Sequence, residues 1–127
     1  KMKAFNPRKK PDPDRWLALD EDERIFLIEE FHERKRINLP NVRVHASFHA
    51  IIENQLASED PPQTADTLKR LFGEGLDRHE AIHAIGSVLS EVMYHAMKSP
   101  SQKVDSTQAY IEGLEELTVE KWLASGE

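Results

Sequence analysis

The stretch "RHEAIHAIG", residues 78–86, places His79, Glu80 and His83 in the order H-E-x-x-H, and "VHASFHAIIENQLA" places His45 and His49 at the same four-residue spacing. Residues four apart on a helix are neighbours on one face, so each pair can offer two imidazoles to one ion. The first pattern is the one zinc peptidases use, with the glutamate polarising a metal-bound water. A third ligand is missing where that chemistry would look for it. In the extended pattern H-E-x-x-H-x-x-G-x-x-H the glycine coincides with Gly86, but the last histidine position holds Leu89. A later glutamate, Glu112, Glu115 or Glu116, would need sheet structure beside the helix. Glu80 also has a plainer role, because it follows Asp77 by three residues and can close a capping box at a helix start.

Two such pairs in one chain carry more than either alone. If their helices pack antiparallel, His45, His49, His79 and His83 converge, with Glu53 one turn further along as a candidate carboxylate ligand. Neutral imidazole binds zinc, nickel, iron or copper. The chain has no cysteine, so any metal must rest on His, Asp or Glu. His79 lies in the first turn of its helix, where the macrodipole disfavours the imidazolium and leaves a nitrogen for coordination. The competing expectation is a set of half-buried histidines, each bonded to a carbonyl or carboxylate. A catalytic version of the site would use Glu80 or Glu53 as general base. His32 could join the group, but near a helix end it is expected instead to interact with the carboxyl-terminal dipole, and His95, one turn after Glu91, to form a surface pair. No Gly-rich phosphate loop or nucleophile elbow is present.

The elements that must position these residues read as helices throughout. "PDPDRWLAL" suggests a short helical turn from Asp14 that buries Trp16, Leu17 and Leu19. Asp20 with Glu23 forms a capping box opening a helix whose stripe includes Ile25, Ile28 and His32, and "INLPN" ends it. A second long helix over about 42–57 carries Val44, Phe48, Ile52 and Leu56. Asn54 and Gln55 after Glu53 form a polar run expected to point outward or bridge the core. Asp60, with Pro61 as first helical residue, opens a third helix that stops at Gly73. Asp77 and Glu80 open a fourth that runs to about Lys98, with Gly86 and Ser90 small enough to admit a close partner. "SPSQKVDS" breaks the pattern before a last helix over about 107–123, which Gly113 and Thr118 can bend or divide. The fold class is all-α, a bundle of about five helices with no sheet.

At 127 residues the chain fits a single domain, residues 1–127. Five of its lysines and arginines fall in the first ten residues, whereas residues 11–127 carry twelve against twenty-three acids. The acidic body argues against nucleic acid as partner, and residues 1–13 read as a basic, solvated arm. With no apolar run of membrane-spanning length and no signal-peptide segment, the expectation is a cytoplasmic protein without membrane contact. Trp16, Trp122, Tyr110 and Leu114 could supply a surface for self-association or an unknown protein partner, although core positions suit them better.

The segments "VHASFHAIIENQLA" and "LKRLFGEGLDRHEAIHAIGSVLSEVMY", together with "PDPDRWLALDEDERI", resemble a family of uncharacterised bacterial proteins classed as a domain of unknown function. The resemblance maps the recurrent residues onto His45, His49, Glu53, Asn54, His79, Glu80, His83 and Gly86. It implies a small intracellular bacterial protein and transfers no activity. The expected function is a non-catalytic interaction or regulatory module, stabilised by a His-ligated divalent metal such as zinc or nickel; the alternative is a metal-dependent hydrolase using the H-E-x-x-H helix.

Overall fold

The computed structural model describes residues 2–35, 41–99 and 105–125. These form seven helices: α1 Pro13–Leu17, α2 Glu21–Arg34, α3 Val42–Ser58, α4 Pro62–Gly73, α5 Arg78–Lys98, α6 Ser106–Glu116 and α7 Val119–Ala124. No strand occurs among the described residues. The breaks expected at residues 37–40 and 100–104 lie outside them.

Both capping boxes form. Asp20 accepts from the Glu23 amide at 2.8 Å and Asp77 from the Glu80 amide at 2.8 Å, each satisfying one of the orphan donors of a first turn. The last expected helix is two, because Thr118 takes extended backbone and caps α7 through the Lys121 amide. The start of α4 is shifted by one residue. Pro61 is its cap residue, without a side-chain capping bond, and Pro62 opens the helix, where a missing N–H costs nothing.

The long α3 packs against α1, α2, α4 and α5, and α5 in turn packs against α4 and α6. Two apolar clusters result. One gathers Phe5, Trp16, Leu19, Ile28 and Phe31 against Ala46 and Ala50 of α3; the other gathers Ile52, Leu71, Ile82, Ile85, Tyr110, Leu114 and Trp122. Trp16, Trp122, Tyr110 and Leu114 are therefore core residues. Leu17, in contrast, is 42% exposed, because Trp16 and Leu19 already take the inward positions of this single turn.

The polar run of α3 bridges the core. Glu53 is gripped by Arg78 of α5 through two bonds of 2.7 and 2.8 Å. Asn54 accepts from the Trp16 indole at 2.9 Å and from Arg24 at 3.0 Å. Gln55 accepts from Thr64 at 2.7 Å and from Tyr110 at 2.8 Å. The amino-terminal arm, expected to be solvated, is laid against the bundle: Phe5 is 1% exposed, and the Pro7 carbonyl accepts from Arg78 at 2.8 Å. Burial of its apolar residues outweighs the arm's charge.

Removing one member of a buried, hydrogen-bonded ion pair strands the other charge. Arg78→Met is therefore expected to cost about 3–5 kcal/mol in urea unfolding, whereas the Glu53→Leu, Arg78→Met double variant recovers most of that loss. A single variant as stable as the parent would show that the pair does not hold α3 to α5.

Candidate metal centre

Three helices bring five of the six histidines together. α2 supplies His32, α3 supplies His45 and His49, and α5 supplies His79 and His83. The Nε2 atoms of His45, His49 and His83 form a nearly equilateral triangle, with edges of 3.0, 3.0 and 3.1 Å. Their rings meet at steep angles, 60° between His45 and His49, 73° between His49 and His83 and 89° between His45 and His83, so the nitrogens converge while the planes fan apart. One ligand nitrogen each of His32, His45, His49 and His83 lies within 4.8 Å of the others.

Hydrogen bonding alone does not satisfy this triangle. A neutral imidazole carries one N–H, so each Nε2 is either a donor or an acceptor. Among three mutually touching atoms of two kinds, at least two are alike, and one edge is then repulsive. A central cation draws on three lone pairs and removes the conflict. Tetrahedral zinc, with bonds of about 2.0–2.1 Å to nitrogen, sets its donors roughly 3.3 Å apart, close to the spacing found.

The surrounding groups favour the neutral, coordinating form. His32 is fully buried, and its Nδ1 donates to the Ile28 carbonyl at 2.8 Å, which assigns the lone pair to Nε2. That Nε2 has no hydrogen-bond partner in the protein. A metal-ligating histidine is commonly oriented by such a bond from its other nitrogen. Burial, reinforced by neighbouring imidazoles, lowers His45 and His83 to about 4. It holds His49 well below the ordinary histidine value and lowers His32 as well, against the Ile28 hydrogen bond. His79 also falls to about 4, through burial and then His32, with Asp77 acting in the opposite sense.

Of the expected metal set, His45, His49 and His83 are brought together as donors. His79 stands beside them, its ring centroid 4.3 Å from that of His83 and its buried Nε2 without a partner, but it is outside the four-residue donor group. Glu53 is turned away, because both its oxygens are taken by Arg78; burial raises its carboxyl while the guanidinium lowers it. Glu80 serves the cap, accepting from the Asp77 amide at 3.0 Å. His32 takes the alternative role open to it, joining the cluster rather than serving the helix dipole. The signal for it was its place on the Ile25 and Ile28 stripe, where a polar residue must find a buried partner. His95 lies 3.8 Å from Glu91 on the surface, as expected.

A pocket of about 280 Å³ between α3 and α5 opens onto the triangle. His45, His49 and His83 line it together with Val44, Phe48, Ile52, Ile82 and Gly86, and Asn41, Ser87 and Ser90 supply polar atoms. Gly86 is not demanded by close helix packing, since a Cβ there would meet only Ile52 Cδ1 at an ordinary 3.6 Å.

Fold and site together define an all-helical domain that gathers a cluster of buried and half-buried imidazoles. The chain belongs to the family DUF1841, a domain of unknown function, whose family model matches residues 13–116. That span includes all five clustered histidines. No curated protein and no solved structure matches the chain. Among the described residues, no helix is long and apolar enough to cross a membrane.

Because the clustered histidines are depressed in the fold and ordinary in the unfolded chain, the unfolded state binds more protons between about pH 6.5 and 4. Without metal, stability is expected to fall as pH is lowered through that window, read as a declining urea midpoint in the presence of chelator. A midpoint unchanged between about pH 7.5 and 4.5 would contradict the buried, neutral state of these imidazoles.

Proposed function

We propose that this domain is a non-catalytic module that holds a divalent transition metal on the Nε2 atoms of His45, His49 and His83, with His32 as a further donor. The observation that carries this reading is the triangle of nitrogens at 3.0–3.1 Å, whose contacts a cation satisfies and protons do not. An all-nitrogen donor set suits zinc, nickel, copper or ferrous iron and disfavours magnesium and calcium. A bound ion ties α2, α3 and α5 together and adds its binding free energy to folding.

The hydrolase alternative has less support. It requires Glu80 to reach a metal-bound water, yet its carboxylate caps its own helix, and Glu53 is committed to Arg78. Neither is free as a general base, so an interaction or regulatory role fits better than catalysis.

Tag-free protein grown with adequate metal is expected to contain close to one equivalent of a transition metal by mass spectrometry, and the His49→Ala, His83→Ala double variant to lose it. Chelation should lower the melting temperature of the parent only. Parent protein that takes up no metal on reconstitution would refute the reading.

A further inference from the structure

The pocket above the imidazole triangle gives the metal an outward face, and its chemistry limits what can occupy that face. His45, His49 and His83 line the pocket while His32 does not, so the coordination position facing the pocket is left to a ligand from solution. The donors are neutral imidazoles, and a divalent ion among them keeps its full double charge. Glu53, the buried carboxylate of α3, is already matched by Arg78. Asp77 acts on His79 and His83, opposed at His79 by Arg8, but it is exposed and committed to the α5 cap. A desolvated charge calls for a counter-charge, and an anionic donor supplies it with a metal bond.

The walls define the rest of the ligand. Val44, Phe48, Ile52 and Ile82 are apolar; Ile52 and Ile82 are buried at depth, whereas Asn41, Val44 and Ser90 are exposed at the mouth. At Gly86 a Cβ would just reach contact with Ile52 of the facing helix, at 3.6 Å, so any larger side chain there would take up pocket space. A volume of about 280 Å³ lies at the lower end of small-molecule sites. We infer that this pocket binds a small carboxylate with an apolar tail, its head on the pocket-facing position of the metal and its tail against Val44, Phe48, Ile52 and Ile82. Binding exchanges a metal-bound water for a carboxylate oxygen, with no bond of the ligand broken. The inference rests on the metal reading above.

The test uses the full chain loaded with cobalt(II), whose visible bands report its donor set. Cobalt uptake is measured first, then the protein is titrated with hexanoate and, separately, with hexanol. Hexanoate is expected to shift the bands saturably and hexanol to leave them unchanged. Gly86→Leu, which fills the pocket, should keep cobalt while weakening hexanoate at least about tenfold, and Ser90→Asp, at the exposed mouth, should keep cobalt while weakening hexanoate through repulsion of its carboxylate. Absence of cobalt binding overturns both the metal reading and this inference. Bound cobalt whose bands ignore hexanoate, or respond equally to hexanol, overturns the inference alone, as does hexanoate binding that neither pocket variant weakens.

Discussion

The structure depends on α3 being enclosed along its middle. Successive residues on a helix point about 100° apart, and Glu53, Asn54 and Gln55 use this fan to reach three different parts of the molecule. Glu53 meets α5 and, through Arg78, the amino-terminal arm. Asn54 meets Trp16 of α1 and Arg24 of α2, and Gln55 meets Thr64 of α4 and Tyr110 of α6. Apolar contacts tolerate small rotations; these directional bonds do not. With α3 held in rotation and register, His45 and His49, two turns and one turn before Glu53, are aimed at α2 and α5.

The same placement sets the cost of the cluster. Five imidazoles share a low-dielectric seam between two apolar clusters, and each neighbour makes protonation of the next harder. Four of their buried nitrogens or contacts are poorly served by hydrogen bonds: Nε2 of His32, Nδ1 of His49 and Nε2 of His79 have no partner in the protein, and the Nε2 triangle has one edge that no tautomer repairs. Buried polar groups normally find partners. Stability must come from elsewhere, from the apolar clusters and the α3 bonds, and the seam is where the fold gives up some of it.

What the sequence made legible was local. Asp20 with Glu23 and Asp77 with Glu80 are signals three residues apart, and both boxes form as read. The histidine pairs are four apart, and three of their four members join the donor group. What escaped depends on distant partners. Arg78 lies 25 residues from Glu53, and nothing near Glu53 distinguishes a ligand carboxylate from one that is spoken for. His32 was readable as a member of an apolar stripe, but the helix that would face it was not. The arm's docking rests on Phe5 and the Pro7 carbonyl, a single aromatic and a backbone atom in an otherwise charged segment. Thr118 was visible as a weak point; whether it bends or divides the helix is decided by its extended backbone and the cap it makes.

The arm also shapes the surroundings of the imidazoles. Phe5 packs edge-on against Phe31 at 6.5 Å, and Phe31 packs edge-on against both His32 and His79, at 5.3 and 5.4 Å. Aromatic rings thus flank His32 and His79, the two clustered histidines that do not line the α3/α5 pocket. If the proposed ion and the proposed ligand share the pocket mouth, entry becomes a matter of queueing: the ion would have to arrive first, and the ligand behind it would block its departure.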